Sequence, residues 1–227
     1  MVCLGAELKT QAVQTTLHEM QDVIPYKSYA GALEALDNGG RFYNIFTKSK
    51  DDEVSPVELA KVAGVFSDKQ KMFLFYEMAI RDLGVGDRQS LYENLSESLQ
   101  AAYEQHKPQE LLPSEADSKG IASKAAILTG YPHFVEDKSI FSGFIYVPVS
   151  VGKSMSMIMI PIMDKFDIYE LVDDSSSTKT FIANVRGVAR LPVALTRFGG
   201  ILKESSVDKE GKEQGRLFLE ALYCTRI

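Results

Sequence analysis

The hydrophobic pattern of the chain changes near residue 125. Before that point, apolar residues recur every three or four positions, as they do on one face of a helix. After it, β-branched and aromatic residues form short runs around polar turns, as in antiparallel hairpins. The change predicts an α+β protein with an N-terminal helical domain, residues 1–112, followed by an antiparallel β domain, residues 113–227. The polar segment 107–120 carries two prolines and is the predicted boundary.

Three segments of the second half have the composition of hairpins: SGFIYVPVSVGKSMSMIMIPIM, DIYELVDDSSSTKTFIANVRGVARL and RFGGILKESSVDKEGKEQGRLFLEALYCTRI. Together they predict about five strands. Such a set of strands forms either a small barrel resembling the oligonucleotide/oligosaccharide-binding (OB) fold or a β-sandwich, and the pattern is compatible with both. Residues 154–163 are apolar on both faces toward their end. This predicts a strand buried against the helical half, or a methionine-rich groove between the halves.

Capping residues predict where helices begin and end in the first half. Ser55, Pro56 and Glu58 have the pattern of a capping box, in which serine and glutamate satisfy free backbone N–H groups of the first turn. A short helix before them is expected to stop at Asn38-Gly39-Gly40, because glycine readily takes the left-handed conformation that closes a helix. The segment therefore predicts two helices joined by an acidic turn.

Three further helices are predicted from apolar spacing. One covers residues 6–21, and one begins at Ser67. The third is a continuous helix over residues 87–107 with a stripe of Leu91, Leu95, Leu99 and Tyr103. The stripe indicates that this helix packs on another element.

The composition is that of a soluble globular protein. Of 227 residues, 45% are hydrophobic and 25% are charged. No apolar run reaches the roughly 20 residues of a membrane-spanning helix, so no membrane insertion is expected. The N-terminus as written lacks the basic start and apolar stretch of a signal peptide, which favours a cytoplasmic location. Cys3 and Cys224 are then expected to be free thiols.

Charge is distributed unevenly between the two halves. Residues 1–112 carry 11 basic and 17 acidic side chains, whereas residues 113–227 carry 14 of each. An acidic half repels the phosphate backbone, so general nucleic-acid binding is disfavoured for the first half. The second half has no net charge, so its charge neither favours nor disfavours binding of nucleic acid.

The segment TKSKDDEVSPVE, residues 47–58, has the spacing of a calcium-binding loop. With Glu58 at the twelfth position, Asp51 falls at the fifth and Ser55 at the ninth, all positions that supply ligands in such loops. Val54 falls at the eighth, where a β-branched residue commonly pairs with a partner loop. The segment and its flanks resemble a degenerate EF-hand. The resemblance implies Asp51, Ser55 and Glu58 as metal ligands and calcium as the cofactor; otherwise no cofactor is expected.

Several positions depart from that pattern. Thr47 and Ser49 replace the usual carboxylates at the first and third positions, and Asp52 replaces the glycine of the sharp turn. Because affinity follows the charge of the ligands, no binding is expected at micromolar calcium. The acidic turn before a Ser-Pro-x-Glu helix start also resembles the helical tellurite-resistance-type domains. A plain turn in which Glu58 only caps the helix is the third interpretation.

The strand-like segment TKTFIANVRGVAR and the residues after it predict a ligand face made of Asn184, Arg186, Arg190 and Arg197. Ile182 would share that face. Such a face could stack on and neutralise single-stranded nucleic acid or another anionic ligand. A solvated outer face on a sheet whose Phe181 side is the core explains the same alternation.

No catalytic constellation stands out in the sequence. His133, in GYPHFVED, has aromatic neighbours and Asp137 four residues on, so a dispersed enzyme site near His133 is one hypothesis. The sequence predicts instead a non-enzymatic binding or adaptor protein, whose β domain or inter-domain groove holds a protein or small ligand. Two more hypotheses compete with it: binding of single-stranded nucleic acid or an anion through the β domain, and a calcium response through residues 47–58.

Overall fold

The computed structural model describes residues 20–39, 50–151, 154–173, 179–185, 190–204 and 217–227. Its helices are α1 (Tyr29–Leu36), α2 (Pro56–Ala63), α3 (Lys69–Ile80), α4 (Val85–Glu93), α5 (Glu97–His106) and, after a 3₁₀ turn (Pro113–Glu115), α6 (Ala116–Lys119). Its strands are β1 (Gln21–Asp22), β2 (Gln109–Leu111), β3 (Ala125–Val151), β4 (Ser154–Val172), β5 (Lys179–Val185), β6 (Thr196–Glu204) and β7 (Leu217–Arg226). The predicted order of a helical first part and a sheet-forming second part is confirmed. The helix expected over residues 6–21 falls almost entirely outside the described residues.

Local capping chemistry sets the helix boundaries. Ser55 and Glu58 form a capping box at the start of α2, as predicted. Helix α1 stops where expected, but its C-cap, Asp37, has a φ of −81° rather than a left-handed one, and the side-chain amide of Asn38 donates to the last carbonyls of the helix. Gly39, two residues past the cap, has a φ of +76°. The start of α3 differs by one residue, since Asp68 rather than Ser67 caps it by accepting a backbone N–H of the first turn.

The continuous helix predicted over residues 87–107 is wrong, because α4 and α5 are separate helices. The chain between them forms a short parallel bridge with the loop before α2. The N–H of Val54 donates to the carbonyl of Asn94 at 2.7 Å, and the N–H of Ser96 donates to the carbonyl of Val54 at 3.0 Å. A tertiary contact therefore replaces part of the helical hydrogen bonding. The predicted leucine stripe is still buried, since Leu91, Leu95 and Leu99 are at most 2% exposed.

The strands form one sheet, mostly antiparallel. Its longest path runs β1-β7-β5-β4-β3-β2 and is open at β1 and β2, while β6 lies off this path and pairs with both β3 and β7. The three predicted hairpins are confirmed as the antiparallel pairs β3–β4, β4–β5 and β6–β7. Strand β1 precedes the predicted boundary segment 107–120 and β2 lies within it, so residues before this segment contribute to the sheet as well as those after it.

Apolar side chains pack into three clusters. The helical core joins α1 to α5 and includes Leu36, Leu59, Phe73, Tyr76, Leu91 and Leu99. The sheet core draws on every strand from β3 to β7 and includes Leu128, Leu171, Ile182, Phe198 and Leu219. The interface core packs α3 against the sheet and includes Leu74, Met78, Ile127 and Leu222. Neighbouring residues of β3, such as Ile127 and Leu128, belong to different clusters, because successive side chains of a strand point to opposite faces.

Candidate functional site

The carboxylate of Glu58, the predicted last calcium ligand, serves as a helix cap. Its Oε1 accepts the backbone N–H of Gly39 at 2.6 Å, and its Oε2 accepts both the N–H and the hydroxyl of Ser55 at 2.8 Å. Glu58 is only 6% exposed. Both oxygens therefore have protein donors, and Ser55, another predicted ligand, is engaged in the same cap.

Asp51, the remaining predicted ligand, lies in the turn before that cap. Its Oδ1 accepts a backbone N–H two residues further on at 3.2 Å. The carboxylate of Asp37 accepts the N–H groups of Asp51 and Asp52 at 2.9 Å. Asp52 has a φ of +62°, at the position where calcium loops use glycine. Across the described parts of the chain, no group of three or more His, Cys, Asp or Glu residues is arranged to hold a metal ion.

The turn is fastened to the connection between α4 and α5. Val54, expected to pair with a second loop, forms its bridge with Leu95. The side-chain amide of Asn94 donates to the carbonyl of Asp52 at 2.6 Å, and the hydroxyl of Tyr29 donates to Asn94 Oδ1 at 3.1 Å. These contacts link three helices and give the turn a structural role.

Glu58→Gln is expected to lower the free energy of unfolding by about 1–2 kcal/mol. The amide nitrogen cannot accept the hydrogen bonds that a carboxylate oxygen takes from Ser55. Urea unfolding followed by circular dichroism measures the change, and the loss should be equal in millimolar calcium and in EDTA. Glu53→Gln, an exposed change in the same turn, is the control. A calcium-dependent rise in wild-type stability that the Glu58 variant loses would show a metal site instead.

Arg197, from the predicted ligand face, is committed to an ion pair. Its Nη1 lies 3.3 Å from Asp82 Oδ1, and Lys27 Nζ lies 3.1 Å from the other oxygen of that carboxylate. The Arg197 side chain is 13% exposed. Although burial acts to raise the pKa of Asp82, hydrogen bonds from the two cations hold that pKa below its usual value. Arg197 therefore ties β6 to the residues after α3.

Arg190 is exposed and stacks on an aromatic ring at the edge of the sheet core. Its guanidinium carbon lies 3.9 Å from the centroid of the Phe134 ring, a cation–π contact. Phe134 meets Tyr169 edge-on at 5.7 Å between centroids, and the N–H of Leu191 donates to the Tyr169 hydroxyl at 3.1 Å. The start of the segment 190–204 is thus anchored to the sheet.

The remaining members of the predicted ligand face do not form an exposed face together among the described residues. Asn184 lies opposite Asp167 in the β4–β5 register, and Arg186 falls outside the described residues. Ile182, expected on the same exposed face, is instead fully buried in the sheet core. The assignment of inner and outer faces of this strand is therefore wrong at Ile182, because Ile182 packs in the sheet core.

His133 does not lie in a deep cleft. It is exposed on β3, opposite Glu170 in the register with β4. Its position therefore lacks the water-excluded surroundings that would favour an enzyme site there.

A buried glutamate that sequence reasoning missed lies in α3. Glu77 is 7% exposed, and its Oε1 accepts the hydroxyl proton of Tyr103 at 2.5 Å. Burial raises the pKa of Glu77, and the hydrogen bond from Tyr103 acts against that rise. The sequence contains one signal of this burial: Glu77 is the single charged residue of MFLFYEMAI, residues 72–80. A helix that is apolar all round is buried, so a charge within such a helix is expected to be buried with it.

Strands β3 and β4 continue beyond the rest of the sheet. Strands β2 and β6 pair with β3 only within residues 125–130, and β5 pairs with β4 only from residue 166 onward. Residues 139–151 pair with residues 154–165 and, among the described residues, with no other strand. We call this two-stranded extension the β3–β4 arm.

No helix within the described ranges is long and apolar enough to cross a bilayer. No model of a known protein family matches the chain, and a search of curated proteins finds no significant match.

Proposed function

We propose that this protein is a non-enzymatic, protein-binding module whose β3–β4 arm assembles copies of the chain. The arm and its sequence carry the proposal. Residues 139–163 contain a single charged residue, Lys153, and are otherwise rich in Ile, Val, Phe and Met. The arm itself carries charge only at its base, where Asp164 and Lys165 are adjacent, so neither face of the ribbon is charged along its length.

An arm of this composition needs a partner in water. Its strands of 13 and 12 residues span roughly 40 Å at about 3.3 Å per residue. An isolated two-stranded hairpin is marginally stable at best, and large exposed apolar surfaces mark sites of protein association. The outer edges of such a ribbon also carry backbone groups that can accept another strand.

The strand order supports a binding role. Strand β6 pairs with both β3 and β7, so the pairings β3-β4-β5-β7-β6 lead back to β3. All five strands also supply the sheet core. From these two observations we infer an OB-like barrel in preference to a sandwich. In OB-like barrels the connection between the first two strands takes part in ligand binding, and the β3–β4 arm occupies that connection.

A second copy of the chain is the occupant that the composition of the arm favours, because an apolar surface can meet an identical one without opposing charges. The chain has a net charge of −6, so two copies repel one another through their charged surfaces. The nearly uncharged arm is where two copies can approach at least cost. Identical edges can also pair around a twofold axis, where each copy contributes the same contact.

Val147→Lys combined with Ile158→Glu is expected to abolish self-association. These residues are cross-strand partners, so opposite charges remain compatible with the pairing inside one arm while adding charge to its surface. Light scattering after size-exclusion chromatography should give a mass above 25.2 kDa for the wild-type protein and the monomer mass for the double variant.

Val193→Lys combined with Ile24→Glu is the matched control, because these side chains are 63% and 84% exposed outside the arm. The control should assemble like the wild-type protein. A wild-type protein that stays monomeric throughout the micromolar range would rule out assembly through the arm.

Binding of single-stranded nucleic acid is a second candidate. The inferred OB-like order and the exposed Arg190 stacked on Phe134 favour it. The ion pair of Arg197 with Asp82 weakens it, because that cation already has a partner. A steep decrease in oligonucleotide affinity with salt would separate this candidate from protein assembly. A calcium response and an enzyme site near His133 stay predictions with no geometric support.

A further inference from the structure

A cleft of about 280 Å³ lies in the helical half, independent of the β3–β4 arm. Helices α3, α4 and α5 form most of its walls, and β2 contributes at the mouth. The polar and aromatic residues on its surface include Tyr76, Glu77, Arg88, Tyr92, Tyr103 and Glu110. Its volume is just below the usual range for ligand pockets, which suits a molecule smaller than most drugs.

Two residues of this lining each carry a buried polar atom that has no hydrogen-bond partner in the protein. These atoms are the hydroxyl oxygen of Tyr76 and Nε of Arg88. Tyr76 is 1% exposed, so its hydroxyl is removed from bulk water. Buried polar groups in folded proteins are nearly always hydrogen-bonded. The two lining residues therefore hold unsatisfied donors that a ligand with hydrogen-bond acceptors could satisfy.

Opposite charges line the inside of the cleft. Glu77 supplies a carboxylate whose Oε1 is held by the Tyr103 hydroxyl, and Arg88 supplies a guanidinium. At the mouth, Glu110 is already paired with Arg81 through two hydrogen bonds. The carboxylate of Glu77 and the cation of Arg88 are thus the charges available to a ligand inside.

The tyrosine rings provide surfaces that attract a cation. The Tyr103 ring lies 5.4 Å from Tyr92 and 6.2 Å from Tyr76, centroid to centroid. The chain itself places an ammonium group against this wall, since Lys107 Nζ lies 5.9 Å from the Tyr103 centroid and 2.8 Å from Glu104 Oε2. Aromatic faces beside a carboxylate are a favourable environment for an ammonium group.

We propose that the cleft binds a free α-amino acid. Its ammonium group would lie against Glu77 and the tyrosine rings, and its carboxylate would accept hydrogen bonds from Arg88 Nε and the Tyr76 hydroxyl. Ile80 and Val85 supply apolar surface for a side chain. A simple amine would leave Arg88 and Tyr76 unpaired, and a simple carboxylate would bring a like charge toward Glu77 without an ammonium group to offset it. A zwitterion satisfies both ends.

Isothermal titration calorimetry of the full chain with a panel of natural L-amino acids, beginning with leucine, tests this proposal. At least one is expected to bind saturably in the micromolar to low-millimolar range. For leucine, 3-methylbutylamine lacks the carboxylate and 4-methylpentanoate lacks the ammonium group. Each analogue is expected to bind at least about tenfold more weakly, because one end of the cleft loses its partner.

Tyr76→Phe separates binding from folding. It should weaken amino-acid binding about tenfold. It should not lower the melting temperature of the ligand-free protein, because the hydroxyl that it removes has no protein partner. Glu77→Gln should also weaken binding. Glu97→Gln, an exposed change on α5 outside the cleft lining, is its matched control and should bind normally.

Three results would each overturn the proposal. The first is the absence of saturable binding for every amino acid of the panel into the millimolar range. The second is equal affinity for the amino acid and for either analogue. The third is unchanged affinity in Tyr76→Phe. None of these readouts depends on the oligomeric state, so failure here is distinct from failure of assembly through the arm.

Discussion

Gly200→Ala is expected to lower the free energy of unfolding by about 3 kcal/mol. A methyl group on Gly200 would lie 2.2 Å from the backbone oxygen of Glu220 and 2.9 Å from Leu219 Cγ. The obstacle is the backbone of β7, which pairs with β5 on its other side and cannot retreat without breaking that pairing. The β6–β7 register shifts at this glycine. Glycine within a strand often marks such an irregularity or a place where another backbone approaches closely.

Gly86→Ala is the matched control for this substitution. A methyl group on Gly86, in α4, would meet nothing within 4 Å. Alanine favours a helix over glycine by up to about 1 kcal/mol, so this variant should be as stable as the wild-type protein or slightly more stable. Urea unfolding followed by circular dichroism compares the three proteins. Equal midpoints for Gly200→Ala and the wild-type protein would contradict the close approach of β6 and β7.

Phe198→Ala is expected to lower the free energy of unfolding by about 3–5 kcal/mol. Phe198 is fully buried in the sheet core. It lies on β6, opposite Leu128 of β3 and Cys224 of β7 in the two registers. Removing the ring therefore loses apolar burial and leaves a cavity among three strands that cannot easily collapse.

Phe66→Ala removes the same atoms at a position that is 61% exposed. It should change the free energy of unfolding by about 0.5 kcal/mol or less, in line with most surface substitutions. Denaturant unfolding monitored by far-ultraviolet circular dichroism measures both variants. Similar decreases in the free energy of unfolding for the two variants would mean that Phe198 is not packed in the sheet core.

Local features of the fold were predictable because they depend on residues close together in the chain. The capping box of α2 needs Ser55 and Glu58 at a spacing of three, and both are present. The stop after α1 needs donors for the last carbonyls of the helix, and the side-chain amide of Asn38 supplies them. The three hairpins follow from β-rich runs around polar turns, and all three pairs form.

The errors arise where a distant element changes a local preference. Residues 87–107 have a continuous helical pattern, but a bridge from Val54 takes up the backbone groups between α4 and α5. The alternation around Ile182 shows that a strand has two faces but does not show which one is inside. The sheet core decides that question by burying Ile182.

The candidate sites also differ in whether the sequence alone could reveal them. Glu58 was recognisable from the sequence as a cap or a calcium ligand, and its hydrogen bonds to Gly39 and Ser55 are those of a cap. The cleft was not recognisable as a site. Tyr76 and Glu77 are neighbours on α3, but Arg88 and Tyr103 reach them only through the packing of α4 and α5.

The sequence by itself determined the helical first part, the hairpin-forming second part, the capping of α2 and the stop after α1. These depend on side chains within a few positions of one another, where spacing alone decides the geometry. Only the tertiary structure decided that β6 pairs with both β3 and β7 and that α3 packs on the sheet. It also decided that Arg197 meets Asp82, 115 positions away, and that Tyr103 meets Glu77, 26 positions away. Such contacts depend on how whole elements pack around a shared core, and no local spacing records that packing.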